Sequence, residues 1–320
     1  MLQIFRVAGI PVRVDASWLV VFGLISWSLA AGYFPHVLPE ATTAAAWTHG
    51  VVAALLLFVS VFLHELSHAL VAIEHGVPVS GIRLHVFGGV SELEAEPPTP
   101  RAELLIAVVG PLTSFVIAAL CYGLGRAVGG PPWVSALTGY LAAVNLLLGL
   151  FNLVPGFPLD GGRLLRAMLW WATGRRSWAT LWASRAGSAF AFVMIALGVV
   201  RALGGEMVGG LWFVLIGTFL YQAARASREL IGVRERLEPL RVAEIMSPGE
   251  TPVDRLEAPA LGDAVTPEAS AWSAYVKLGR VRGGPVPVVE DGRVVGVVSR
   301  RDLQDALIDR PRADVAHHAA

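Results

Sequence analysis

Six apolar runs dominate the sequence, each long enough to cross a bilayer as a helix. The hydrocarbon core of a bilayer is about 30 Å thick and takes roughly 20 residues at 1.5 Å each. Runs of that kind fall at about residues 17–34, 48–73, 103–125, 134–154, 186–203 and 207–224, joined by short loops. The chain is 55% apolar and only 16% charged over 320 residues, where a soluble domain carries about 25% charged residues. A mean hydropathy of +0.61 agrees. These features predict an all-α polytopic membrane protein.

Composition excludes several other classes. Formal net charge is zero, so no overall basic field invites nucleic acid. Cys121 is the single cysteine and sits in an apolar run, which rules out a disulfide framework and a cysteine-based zinc site within one chain. The N-terminus MLQIFRVAGIPVRVDASWLVV lacks the small-residue cleavage pattern of a removable signal peptide. Arginines give the orientation. Arg6 and Arg13 precede the first run, Arg83 and Arg101 follow the second, and Arg175 and Arg176 follow the fourth. Arg225, Arg228, Arg234 and Arg236 follow the sixth, and the opposite side holds only Arg126 and Arg201. By the positive-inside rule both termini are cytoplasmic, in a multi-pass protein of the cell membrane. Trp18, Trp47 and Trp133 fall near the expected interfaces and read as belt or core residues.

Two segments depart from the helical pattern. In GIRLHVFGGVSELEAEPPTP (81–100), Ile82, Leu84 and Val86 alternate with Arg83 and His85, as in a half-buried strand. Gly88-Gly89 then permits a turn and VSELE a return strand, so a short hairpin at the cytoplasmic face is expected. Irregular backbone at membrane depth survives only beside protein or a watery cavity, so the hairpin is expected to line one. Beyond residue 225 the charge returns. GPVPVVEDGRVVGVVSRRDLQDAL reads strand, Asp-Gly turn, strand, helix, with Pro285 and Pro287 placing the first strand at an edge. Ser299 and Asp302 have the spacing of a helix-capping box. The expected division is a membrane domain over 1–225, a linker over 226–240, a small α/β cytoplasmic module over 241–310 and a disordered tail over 311–320. His317 and His318 in that tail are incidental.

The chemistry concentrates at HELSH, residues 64–68, directly after the run VVAALLLFVSVFL. One helical turn separates His64 from His68, so both imidazoles project from one face and suit a Zn²⁺ ion. Glu65 beside them is placed to act as general base on a water. The plain alternative is a pair of histidines making polar contacts in a bundle. Location argues against it, since an acid at the centre of a span costs about 2.5–3.5 kcal/mol on insertion scales. Three ionisable groups within five residues need a compensating partner, and a divalent cation is one. Counted from the outer end near Val51, the histidines lie in the inner half of the second span.

A catalytic zinc needs a third protein ligand. Glu40, Glu74, Glu92, Glu94, Glu96, Glu103 and Glu206 read as loop residues. Asp160 lies in FNLVPGFPLDGGR (151–163), where Pro155 and Pro158 break the helix and two glycines follow the acid. Two uses stand open for it, a zinc ligand or the N-cap of the next helix, and the broken, glycine-rich setting favours the ligand. Arg163 and Arg166 are expected to snorkel to the cytoplasmic headgroups.

HELSH in an apolar helix, followed in order by FGGVSELE, GPLTS (110–114) and NLVPGFPLDGG, resembles the site-2 proteases, which are intramembrane zinc metalloproteases. The resemblance runs from about residue 5 to 225. It implies His64, His68 and Asp160 as ligands of one zinc ion per chain, and Glu65 as catalytic base. Asn152 falls at the family's N-x-x-P position, where its amide either serves the substrate or hydrogen-bonds a neighbouring helix. The hairpin at 82–94 resembles the family's membrane-embedded β segment, whose edge suits an unwound substrate. Gly110-Pro111 matches a further family motif and reads as a kink or a close-packing point.

VAEIMS and PVVEDGRVVGVVSRRDL resemble the two halves of a CBS domain. Ser299 and Asp302 match positions that touch adenosine nucleotides in that family, and a capping role stands beside that one. A single CBS motif normally pairs, which implies a homodimer or a degenerate partner. Together these likenesses imply the bacterial and archaeal branch of the protease family. They also imply regulated intramembrane proteolysis of a membrane-spanning substrate, such as an anti-sigma factor or a membrane-tethered transcription regulator. The rival from another class, a transporter or channel with a regulatory CBS tail, predicts paired broken helices and internal symmetry, which the sequence does not display.

Overall fold

The computed structural model describes residues 2–85, 88–252, 264–279 and 284–308. The expected tail over 311–320, with His317 and His318, lies outside them, as do residues 86–87 between the hairpin strands. The chain divides into two compact units, Met1–Ser227 and Arg228–Ala320.

The first unit is built on long helices whose ends follow local chemistry. Helix α1 (Ala16–Ser28) starts where the Asp15 carboxylate accepts from Ser17 N at 3.0 Å. It runs through one π-helical turn at Leu29–Tyr33 into the short α2 (Phe34–Val37). Thr42 caps α3 (Thr43–Glu74), and Thr99 caps α4 (Pro100–Ala127), which carries proline in its first turn. Helices α5 (Pro132–Asn152), α6 (Asp160–Thr173), α7 (Arg176–Leu203) and α8 (Met207–Leu237) follow. Gly174, at φ +69°, ends α6 in the left-handed conformation that glycine adopts without penalty.

Six of the helical stretches are long and apolar enough to cross a bilayer: Ala16–Val37, Thr43–Glu74, Pro100–Ala127, Pro132–Asn152, Arg176–Leu203 and Met207–Leu237. Their outward faces expose Leu120, Leu147, Val200 and Leu211, each at 60% or more. Apolar surface on that scale belongs in lipid. The protein is a multi-pass membrane protein. The fifth span begins about ten residues before its expected start at 186, because RRSWATLWAS reads as too polar for a span. The structure instead buries its small and hydroxyl face, Ala179, Thr180, Ala183, Ser184, Gly187 and Ser188.

The expected hairpin is part of a larger sheet. Strands β1 (Leu2–Val7), β2 (Ile10–Val14), β3 (Val79–His85) and β4 (Gly88–Leu93) form one sheet in that order. β1 and β2 are antiparallel, β2 and β3 parallel with Val12 opposite Ile82, and β3 and β4 antiparallel. Ala8 (φ +49°) and Gly9 (φ +81°) make the β1–β2 turn. Gly88 and Gly89 open β4 instead of forming the turn. Ile10 and Ile82 pack with Ala69, Phe62 and Leu66 of α3, so the sheet lies against the end of α3 that carries HELSH. The outer edge of β4 pairs with no strand among the described residues.

In the second unit, β5 (Ser247–Pro252), β7 (Arg293–Val298) and β6 (Val286–Glu290) form an antiparallel sheet in that spatial order, with helices α9 (Ala271–Leu278) and α10 (Arg300–Ile308). The core holds Val242, Ala274, Leu278, Val286, Val288, Val298 and Leu303. Asp291 (φ +46°) and Gly292 (φ +74°) make the expected Asp-Gly turn.

Candidate metal centre

His64 and His68 lie on α3, both almost fully buried, and Asp160 is the first residue of α6. Three atoms converge there. His64 Nε2 is 3.2 Å from His68 Nε2, and each is 3.1 Å from Asp160 Oδ2. Among the described residues this is the one group of three or more metal-ligating side chains that comes together. Asp160 does not cap its helix; Leu159 holds the N-cap position without a side-chain bond.

The other side of each ring is fixed by α4. His68 Nδ1 donates to the Ile106 carbonyl at 2.5 Å, which makes Nε2 the lone-pair nitrogen. His64 Nδ1 stands 2.9 Å from Ser114 Oγ, and the tautomer that donates Nδ1–H to that hydroxyl leaves Nε2 as a lone pair. Gly110 lies between these two points, and a β-carbon on it would overlap both imidazoles at Nε2. Close packing is therefore its role. Two imidazole nitrogens and a carboxylate oxygen thus face one another, each able to offer a lone pair to one cation. A cation among them relieves the repulsion of those lone pairs. Ligand atoms about 2.0–2.1 Å from a tetrahedral zinc stand ~3.3 Å apart, near the 3.1–3.2 Å seen here. The residues fit zinc.

Glu65, next along α3, is held by the sheet. Its Oε2 accepts from Ser91 N at 3.0 Å and from Ser91 Oγ at 2.9 Å. Gly89 lets β4 approach, since a β-carbon there would run into the Glu65 side chain. Oε1 accepts no hydrogen bond among the described residues.

The segment 153–159 that delivers Asp160 packs through glycine. Gly161 and Gly162 lie against backbone of residues 153–157, and Gly187 of α7 meets the Phe157 backbone. Asn152 is not brought into the cluster; its Nδ2 donates to Leu148 O at 3.0 Å within its own helix.

Several expectations about charged residues fail: Glu74 is the last residue of α3 and Glu92 lies in β4, neither of them in a loop. Glu103 is not a loop acid but lies in the first turn of α4, at 0% exposure. Arg166 does not reach toward headgroups; its Nε lies 2.5 Å from Glu103 Oε1, which Nη2 also contacts. Sequence patterns missed this pair because an isolated Glu and an isolated Arg carry no spacing signal. Ser91 and Ser114 were likewise missed, although a serine within GPLTS, deep in an apolar run, was a usable sign.

In the second unit, Ser299 and Asp302 form the expected capping box. Ser299 N and Oγ both donate to Asp302 Oδ2 at 2.7 Å, and Asp302 N donates to Ser299 Oγ at 3.3 Å. Ser247 Oγ donates to Asp302 Oδ1 at 2.9 Å. Partial burial pushes the Asp302 pKa up, but these hydrogen bonds outweigh it and hold the carboxyl below its ordinary value.

Comparison with known proteins agrees with this geometry. The model of Peptidase family M50 matches residues 52–139 and 130–196, and that of the CBS domain residues 242–309. "Putative zinc metalloprotease Rip3" of Mycobacterium tuberculosis is 39% identical over 316 residues, covering 95% of this chain and 76% of that protein. "Putative zinc metalloprotease sll0528" of Synechocystis is 33% identical, covering 92% and 75%. The solved "Site-2 Protease from Methanocaldococcus jannaschii" superposes with a TM-score of 0.50 at 31% identity, over 71% of this chain and 94% of that one. The membrane body and the buried His–His–carboxylate set are those of a zinc metalloendopeptidase embedded in the bilayer. The chain belongs to peptidase family M50, the site-2 proteases, and carries a CBS domain.

Proposed function

We propose that the chain carries out regulated intramembrane proteolysis. It hydrolyses a peptide bond of a membrane-spanning or membrane-tethered protein, such as an anti-sigma factor or a tethered transcription regulator, and frees a cytoplasmic fragment. The observation that carries this reading is the convergence of three metal-ligating side chains beside a glutamate that a sheet-edge strand holds in place.

In this reading His64, His68 and Asp160 hold the zinc, with Ile106 O and Ser114 Oγ orienting the rings. Bound zinc supplies Lewis acidity, which polarises a carbonyl and brings the pKa of a water to about 7. Glu65 moves the proton. With Oε2 occupied by Ser91, Oε1 takes a proton from the attacking water and returns it to the leaving amine nitrogen. The C–O bond forms when water adds to the carbonyl, and the C–N bond breaks as the amine nitrogen receives the proton from Glu65. The substrate must first unwind, because a helix spends its carbonyls on its own hydrogen bonds. The free edge of β4, which already touches Glu65, receives the extended segment by strand addition. Asn152 spends one amide hydrogen on Leu148 and offers the other to the substrate.

Arginine asymmetry supports a cytoplasmic location for both termini in this reading. The domain division at about 1–225, 226–240, 241–310 and 311–320 belongs to the same reading. The CBS domain regulates by binding an adenine nucleotide through Ser299 and Asp302, and it pairs with a second copy in a homodimer. Purified protein should contain one zinc per chain. Co-expressed with a single-pass substrate, Glu65→Gln should keep the metal and stop cleavage. Equal processing by variant and wild type sinks the mechanism.

A further inference from the structure

We infer that the Glu103–Arg166 ion pair is the clasp that sets Asp160 against the two histidines, so that both residues act as positioning residues for the metal centre. The inference rests on His64, His68 and Asp160 being the zinc ligands.

The three ligands come from two helices, and α4 holds them both. Along one face of α4 run Glu103, Ile106, Gly110 and Ser114. Ile106 O fixes His68, Ser114 fixes His64, and Gly110 lies against both rings. Asp160 makes no side-chain hydrogen bond to α4 among the described residues. It enters on α6 from the segment 153–159, its carboxylate lies 3.1 Å from both histidines, and Arg163 one turn on brings an opposite charge near it and near Glu103. Arg166 supplies the missing tie. Its guanidinium bonds Glu103 at the head of the α4 face and lies 5.1 Å over the ring of Phe157, in the segment that leads into Asp160. One side chain therefore joins α4, α6 and that segment.

Helical geometry explains why this restrains Asp160. Six residues separate it from Arg166, which is about 9 Å along the α6 axis and roughly 120° around it. A helix held at two such points can neither slide nor rotate. Stability alone does not account for the pair. A buried ion pair is commonly no more stabilising than apolar residues of like volume. Glu103 also leaves Oε2 buried without a hydrogen bond among the described residues.

The test separates positioning from folding. In Glu103→Leu/Arg166→Leu both charges go together, so thermal unfolding in detergent should stay near wild type. Zinc affinity, measured by chelator competition on the full-length protein, should fall about 10- to 100-fold, the range for lost outer-shell support. The visible spectrum of the cobalt-substituted protein should lose its four-coordinate intensity. Arg166→Lys, which keeps the charge but not the planar fork, should fold normally and fall between the two; it decides the matter if the double variant does not fold. Wild-type zinc affinity with a wild-type cobalt spectrum, in whichever variant folds, overturns the clasp. His68→Ala tests the ligand set separately. Zinc retained there overturns the ligand reading and the clasp with it. Zinc lost there, but held at full affinity by the clasp variants, overturns the clasp alone.

Discussion

Replacing Gly110 with alanine adds one carbon at the point where α4 meets both imidazoles. An ideal β-carbon there would stand 2.7 Å from His64 Nε2 and 2.6 Å from His68 Cε1, and closer still to His68 Nε2. A comfortable separation is ~3.5 Å, so the rings must retreat by about 0.8 Å or more. Metal sites tolerate roughly ±0.2 Å in ligand distance. Misplacement by ~1 Å costs on the order of 100-fold in rate, or about 2.7 kcal/mol. Folding should respond less, because the ~1 kcal/mol helix preference for alanine over glycine is set against the roughly 1–3 kcal/mol that overpacking costs. Gly110→Ala should therefore unfold modestly below the wild-type temperature in the metal-free state, bind zinc at least tenfold more weakly and cleave about 100-fold more slowly. Chelator competition, detergent melting curves and gel assay of a single-pass substrate read the three quantities. A variant that binds zinc and cleaves at wild-type levels would refute the packing argument.

Three further outcomes follow from the same geometry. Ser91→Ala removes a hydroxyl donor to a charged acceptor, worth about 1.5–3 kcal/mol, and should slow cleavage roughly 10- to 100-fold with zinc content unchanged. Ser114→Ala should weaken zinc about 10- to 100-fold as a lost outer-shell partner, seen by the same chelator competition. The Asp302 carboxyl is held below its ordinary value of 3.8, so its contribution is present above that value and is lost as pH falls through the lowered one. Amide exchange across β7 and α10 should show that acid limb in the wild type and a flattened one in Asp302→Ala, whose box is worth about 0.5–2 kcal/mol.

What the sequence made legible follows the strength of its local signals. The six spans were visible because a bilayer demands long apolar runs, and each observed helix overlaps its expected run. HELSH and LDGG stood out because ionisable or backbone-freeing residues are conspicuous against such runs, and the structure joins them at 3.1 Å. The N-terminal strands escaped notice. LQIFRV and IPVRV are short; the first pairs with the second, and the second is fixed by pairing to β3 some 70 residues away, with Val12 opposite Ile82. The start of α7 was missed for a related reason: alanine, serine and threonine on a buried helix face lower hydropathy while making the tightest contacts. Glu103 and Arg166 were misassigned because nothing in either neighbourhood announces a partner 63 residues distant.

The parallel pairing of β2 with β3 bears directly on catalysis. A free two-stranded hairpin is marginal in water, and here one strand of such a hairpin has to hold the catalytic glutamate. β1 and β2 widen that hairpin to four strands, and Ile10 of β2 and Ile82 of β3 pack against α3. The other edge of the sheet is the exposed β1, and the open edge of β4 lies beside Glu65 through Gly89 and Ser91. A substrate strand added at β4 extends the same sheet that orients the base. The hydrogen bonds that bind the peptide then also fix its carbonyl relative to Glu65 and to the atoms that hold zinc. Binding register and reaction geometry are therefore set by one rigid element, with α3 as its floor.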